Sequence, residues 1–176
     1  MISTHYTPPL GLPLMTLTVK NAKLMALDWH DDKTHELYAK LGKSASFVKQ
    51  DELRHDDKDH SVAILTMTQL DEYFSGVRTH FDVPLDLSSG TPFQQAVWRA
   101  LLAIEYGQTI SYAKLAQNIA KPSAFRAAAN ANGKNPISLI VPCHRVIKAD
   151  GDIGGYTGGV FIKSALLALE RGAVAV

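Results

Sequence analysis

Ile140-Val141-Pro142-Cys143-His144-Arg145-Val146 is the stretch from which the rest of the chain is read, and it holds the only cysteine in 176 residues. The largely apolar run 137–141 leads into it and predicts a short buried strand or extended segment. Pro142 fixes its own φ and pushes Val141 towards an extended conformation, so the thiol sits on stiff backbone. His144 follows directly. Neighbours on an extended chain point opposite ways, so thiol and imidazole would meet only through a bend or a bridging water. Next comes Gly151-Asp152-Ile153-Gly154-Gly155-Tyr156-Thr157-Gly158-Gly159, a glycine-rich loop that lets backbone approach a flat ligand.

Two readings of Cys143 stand side by side. A lone cysteine is often a small buried hydrophobe. A free thiol has a pKa of ~8.5, so acting as a nucleophile at neutral pH needs a nearby base or positive field. His144 is the candidate base. Glu170, the one acid in the last apolar helix, either orients that imidazole or is an exposed helix-end charge.

Outward from this stretch, the back half reads as helices. Thr91-Pro92 is a cap-and-N1 start, followed by Phe93, Val97, Leu101 and Ile104 on one face, with Tyr106-Gly107-Gln108 as the stop. Ser111 caps a second helix through Ile119. The turn Ala120-Lys121-Pro122-Ser123 breaks it, and Ser123 caps a third helix from Ala124 to about Asn132, ended by Gly133. The spacing describes either a helix-turn-helix or an αα-hairpin of any helical bundle. The third helix is nearly bare, with Ala124, Ala127, Ala128, Ala129 and Ala131 around a single projecting Arg126. It suits close packing on a neighbour, or entry into a minor groove ~6 Å wide. Val160 to Arg171 predicts a final helix with Phe161, Ala165, Leu166 and Leu169 inward.

In the front half, Met15 to Lys20 alternates at period two, Asn21-Ala22 is a turn, and Leu24 to Trp29 returns as the second strand of a hairpin. Residues 31–60 are polar and read as a loop-rich connection with one short strand or helix at most. Ser61 to Phe74 has helical apolar spacing with Gly76 as its stop. The segment 82–90 reads as a linker, dividing a domain over 1–85 from another over 91–176.

Composition narrows the class. The apolar fraction of 46% suits a globular protein, and no run is long and apolar enough for a membrane span. No secretory signal is read at 1–14, and one cysteine argues against a disulfide framework, so a cytoplasmic location is expected. The seven histidines lack ligand spacing, so no metal is expected. Residues 1–90 carry 9 Lys and Arg against 13 Asp and Glu, and residues 91–176 carry 9 against 4. The net charges of −4 and +5 suggest that the back half meets a polyanion.

The run from Asn135-Pro136 through Pro142-Cys143-His144-Arg145-Val146 closely resembles the active-site signature of the O6-alkylguanine-DNA alkyltransferases. The resemblance extends from Thr91-Pro92-Phe93-Gln94-Gln95-Ala96-Val97-Trp98 to Glu170. It implies an α/β protein: a small α/β domain with an antiparallel sheet plus helix, ribonuclease H-like, then a mainly helical, winged-helix-like domain with a helix-turn-helix. It implies direct reversal of DNA damage, with one alkyl group moved irreversibly to Cys143 and one turnover per molecule. His144 would take the thiol proton through water and Glu170 would orient His144. Asn135 would be the hinge asparagine, and Tyr112 would donate to purine N3. The carbonyls of Val146 and Cys143 would take the guanine amino group, and the Thr157 amide would reach O6. Arg126, with Ala127 beside it, would enter the duplex from the minor groove and fill the gap left by an extruded base.

The implied partner is double-stranded DNA carrying O6-alkylguanine, with O4-alkylthymine an open second substrate. The implied state is a monomer that assembles on DNA at most, with no membrane and no cofactor. The zinc-binding cysteines of some animal relatives are absent. Ala127-Ala128-Ala129-Asn130 departs from the Ala-Val-Gly-Ala usual in the family, and Asn132 stands where some relatives have methionine. Rival readings are a cysteine hydrolase or acyltransferase, a lesion-binding module without an acceptor, and a helix-turn-helix regulator of the major groove.

Overall fold

A computed structural model describes residues 1–30 and 45–172. The chain divides into two compact units, one over Met1–Asp86 and the other beginning at Leu87. The architecture is α/β, with a small sheet and several helices.

The first unit is built on β1 (Ile2–Tyr6), β2 (Met15–Lys20), β3 (Lys23–Trp29) and β4 (Ser46–Phe47), in the order β3-β2-β1-β4. The hairpin β2–β3 turns at Asn21 and Ala22, whose φ of 53° and 56° are what a two-residue turn matched to strand twist requires. The sheet is not wholly antiparallel: β1 pairs β2 antiparallel, but β4 joins β1 in parallel. Strand β1 escapes the sequence reading because both of its faces are largely buried, which removes the polar–apolar alternation. Helix α1 (Lys58–Phe74) packs on β2 and β3, closing a core of Leu17, Val19, Leu27, Trp29, Leu70 and Tyr73. It starts three residues before the predicted Ser61, because the Asp57 carboxylate caps Asp59 N and His60 N at 2.8 and 3.0 Å. Of the loop-rich segment, 31–44 lies outside the described residues. The remainder forms β4 and a 3₁₀ turn, Gln50–Glu52. Part of the predicted linker adds to the β3 edge, where Leu24 N donates to Pro84 O and Asp86 N to Leu24 O, each at 2.8 Å.

The second unit holds α2 (Pro92–Leu101), α3 (Tyr112–Asn118), α4 (Phe125–Gly133) and α5 (Val160–Glu170). A two-stranded parallel ladder, β5 (Ile110–Ser111) with β6 (Val146–Ile147), ties the start of α3 to the segment after Cys143. Thr91 and Gln94 form a reciprocal capping box at the head of α2, with Val97, Trp98 and Leu101 turned inward. The Ser111 hydroxyl caps α3 by accepting Lys114 N at 3.1 Å. Ser123 does not cap α4. It lies inside a 3₁₀ turn, Pro122–Ala124, and Ala124 precedes the helix without a side-chain cap.

Two further expectations are corrected. The run 137–141 is not a strand but a series of turns, with Leu139 at φ 71°. Phe161 is 67% exposed, because the inner stripe of α5 runs through Ile162, Lys163, Leu166, Leu167 and Glu170. Among the described residues, no helix is long and apolar enough to cross a membrane.

Candidate active site

Asn135 explains why the segment before the cysteine folds into turns. Its Oδ1 accepts Ile137 N at 3.0 Å, while its Nδ2 reaches Ile137 O at 3.2 Å and Val141 O at 2.7 Å. One side chain thereby supplies the partners that a strand would have taken from a neighbour. The same Nδ2 lies 3.1 Å from Cys143 Sγ, so an N–H is aimed at the sulfur. Cys143–Arg145 then closes a 3₁₀ turn, with Arg145 N bonded to Pro142 O at 3.0 Å. This turn is the bend that an extended reading of Cys143-His144 lacked.

Cys143 is 5% exposed, and the Tyr156 hydroxyl lies 4.0 Å from its sulfur. Tyr112, at the head of α3, is half-buried. Burial first, and the charge that Cys143 would carry as a thiolate second, raise its pKa above the ordinary phenol value, so its hydroxyl stays protonated. A Cβ on Gly154 would stand 3.7 Å from that hydroxyl, which puts the glycine loop directly beside it.

Behind the cysteine lies a buried polar cluster. His144 is completely buried, with Nε2 2.8 Å from Glu170 Oε1. Arg145 grips the same carboxylate in two-pronged fashion, Nε to Oε2 and Nη2 to Oε1, both at 2.9 Å. Gly107 N adds a third donor to Oε2 at 3.1 Å. Burial alone would raise the Glu170 carboxyl, but the bonds from His144 and Arg145 outweigh it and hold the pKa at about 2. Burial lowers the pKa of His144 against the raising effect of Glu170. The resting pair is therefore a neutral imidazole and an ionised carboxylate. A carboxylate only accepts, so Nε2 carries the proton and Nδ1 keeps its lone pair. That Nδ1 is buried and has no hydrogen-bond partner among the described residues.

The other predicted residues are distributed around this centre. Val146 is buried, and its carbonyl accepts Lys163 Nζ at 2.6 Å. Thr157 is exposed in the glycine loop and bonds Gly133 O through Oγ1 at 2.8 Å, joining that loop to the end of α4. Arg126 and Ala127 are exposed on the first turn of α4, away from the buried cluster, with the guanidinium 5.7 Å from the Phe125 ring centre.

Three participants escaped the sequence reading. Arg145 neutralises Glu170 and also bonds Ile104 O at 2.6 Å. Gly107, at φ 74°, brings its amide onto Glu170. Lys163 is fully buried, and burial lowers its pKa to about 8. The signal for it was present, since positions 163, 166, 167 and 170 share one helical face with an apolar stripe between two charges.

Residues 92–172 match the family model described as 6-O-methylguanine DNA methyltransferase, DNA binding domain. The methylated-DNA–protein-cysteine methyltransferase of Mycobacterium bovis is 58% identical over 103 residues, which is 58% of this chain and 62% of that protein. The aligned part thus spans under two thirds of the curated relative's length. The crystal structure of Mycobacterium tuberculosis OGT in complex with DNA is 40% identical, at a TM-score of 0.80, covering 98% of this chain and 94% of that one. A second crystal structure, of Mycobacterium tuberculosis O6-methylguanine methyltransferase, is 39% identical at a TM-score of 0.79, covering 98% and 95%. With 98% of the chain aligned at this identity, and the cysteine centre inside the matched segment, this chain belongs to the 6-O-methylguanine DNA methyltransferase family.

Proposed function

We propose that this protein repairs DNA by moving the alkyl group of O6-alkylguanine onto Cys143, once per molecule. The observation that carries the reading is the alignment of Asn135 Nδ2 on Cys143 Sγ at 3.1 Å, with a neutral, Glu170-bound His144 as the next residue. His144 Nδ1, without a hydrogen-bond partner among the described residues, takes the thiol proton through one bridging water. The thiolate attacks the alkyl carbon, an S–C bond forms, and the C–O6 bond breaks with its electron pair going to the purine. Tyr112, protonated and beside the glycine loop, donates towards purine N3, and the Thr157 amide meets O6 as negative charge develops. The proton released from Cys143 ends on guanine. The product is a thioether with no carbonyl for water to attack, so Cys143 is not regenerated.

The target carbon lies inside the base stack, so the nucleotide is extruded, at a cost of a few kcal/mol. Arg126, exposed with Ala127 on a helix of small residues, is suited to enter from the minor groove and fill the gap. The two short helices α3 and α4, in a unit of net positive charge, support a helix-turn-helix of winged-helix type as the DNA-docking element. The strand order β3-β2-β1-β4 with a parallel last pair supports a ribonuclease H-like reading of the first unit. We assign repair chemistry to residues 91–176 and a supporting role to residues 1–85.

Incubation with duplex DNA carrying radiolabelled O6-methylguanine tests this reading. One equivalent of label is expected per molecule, with ~14 Da gained on the tryptic peptide Asn135–Arg145, as covalent transfer of one methyl to a nucleophile requires. Cys143→Ala is expected to bind DNA and accept no label. Label that never reaches protein, or that exceeds one equivalent, would overturn it in favour of a turnover hydrolase or acyltransferase.

A further inference from the structure

We infer that Asn132 reads the exocyclic amino group of the base, its side-chain Oδ1 accepting from guanine N2–H. The inference rests on the proposed function and names a specificity residue that function does not require. Asn132 sits in the last turn of α4, 5% exposed. Its Nδ2 donates to Cys143 O at 3.3 Å. That bond fixes which end of the amide is which, because the swapped rotamer would set two oxygens against each other. The remaining Oδ1 is buried and has no hydrogen-bond partner among the described residues. Buried acceptors are rarely left this way, and such a group is a reason to look for a ligand donor.

The surroundings say where that donor belongs. Asn132 is bonded to the carbonyl of the acceptor cysteine, and the next residue, Gly133, is bonded through its carbonyl to Thr157 of the glycine loop at 2.8 Å. The last turn of α4 therefore spans the gap between sulfur and loop, where the base has to lie. Each of the two carbonyls that the family resemblance offers to the amino group already holds one donor, which leaves it one further lone pair. Cys143 O accepts Asn132 Nδ2, and Val146 O accepts the Lys163 ammonium at 2.6 Å. Asn132 Oδ1 is the acceptor of this group with no donor. A guanine alkylated at O6 has lost N1–H, so its N2 amino group holds the only N–H donors on its pairing edge. An O4-alkylthymine has no such donor and would leave Oδ1 unpaired. A site built to hydrogen-bond a substrate N–H discriminates strongly against an analogue without it.

The experiment is single-turnover methyl transfer from duplex DNA containing O6-methylguanine or O6-methylhypoxanthine, which differ only by the N2 amino group. The ratio of the two rates is independent of the fraction of folded protein. The wild type is expected to favour guanine by ~10-fold or more. In Asn132→Leu and Asn132→Met the ratio should fall ~3- to 10-fold, mainly through slower reaction with guanine, the loss of one hydrogen bond. Asn132→Asp keeps an acceptor but loses the donor to Cys143 O, and is expected to keep the preference for guanine. If the wild type transfers from neither base, the proposed function itself fails. If transfer persists and the ratio is the same in the wild type and the apolar variants, or falls equally in Asn132→Asp, Asn132 only supports the Cys143 carbonyl and the inference is overturned.

Discussion

His144 Nε2 lies 2.8 Å from Glu170 Oε1, with both side chains fully shielded from solvent. The pair sets the protonation of the imidazole. An ionised carboxylate on Nε2 forces the ring proton to that side and leaves Nδ1 as a base.

Replacing Glu170 with Gln removes the charge that neutralises Arg145 while leaving the guanidinium buried. Breaking a buried pair in this way costs about 3–5 kcal/mol, or roughly 10 °C in Tm for a chain of this size. The carboxyl is depressed from 4.5 to about 2 on folding, so its stabilisation is full above pH 4.5 and is lost as pH falls towards 2. Thermal melts of wild type and variant from pH 7 to 3 should draw together as pH falls below 4.5; parallel curves would contradict the assignment.

Because burial lowers the pKa of His144 below 6.5, the imidazole is more than half neutral at pH 6.5. The acid limb of the single-turnover transfer rate should lie below that value, where an ordinary histidine would already be half protonated. His144→Gln should slow transfer by ~10²- to 10⁴-fold, the range of general-base contributions. A limb at or above pH 6.5 in the wild type would speak against His144 as the base.

Arg126 is exposed on α4, with its guanidinium 5.7 Å from the Phe125 ring centre. Arg126→Ala should slow transfer from duplex DNA by ~10-fold or more, the share of unstacking energy it offsets. Reaction with free O6-benzylguanine should be nearly unchanged. Equal losses with both substrates would remove the proposed role in filling the gap.

Gly90 lies against the indole of Trp98, and a Cβ there would run into the ring. Trp98 cannot step aside freely, because its Nε1 donates to Ala131 O at 2.8 Å. Gly90→Ala should destabilise by about 1–3 kcal/mol, as overpacking does. Denaturant unfolding would measure it, and an unchanged midpoint would show that the ring shifts at no cost.

Lys163 is buried against two carbonyls, Val146 O at 2.6 Å and Gly155 O at 3.4 Å, and burial lowers its pKa from 10.5 to about 8. Between these values the unfolded chain binds more protons than the folded one, so this group makes stability rise with pH from 8 to 10.5. Melting curves for wild type and Lys163→Met over that window should show the rise in the wild type and its loss in the variant. The same slope in both proteins would place the lysine charge elsewhere.

Much of the local structure was legible from residue order. Alternation at Met15–Lys20, the Asn21-Ala22 turn and the caps at Thr91 and Ser111 act within a few residues, so their physics is local. The cysteine, its proline and the adjacent histidine were legible for the same reason. Strand β1 and the turns of 137–141 were not, because the first is defined by pairing with β2 and the second by the Asn135 side chain, which reaches forward to Val141. Phe161 was misplaced because helical spacing alone does not say which of two apolar flanks finds a neighbour.

Residue order determined the single cysteine with its proline and histidine, and the short helices and hairpin of the chain, since caps, turns and prolines act over one or two turns of chain. Only the tertiary structure decided that Glu170 is a buried partner and not a surface charge, that Lys163 lies inside, and that His144 Nδ1 and Asn132 Oδ1 are buried without a hydrogen-bond partner among the described residues. Burial and pairing depend on segments distant in sequence, as when Glu170 meets Gly107 across 63 positions. That closure changes the cost of a charge or a lone pair, which no local pattern records.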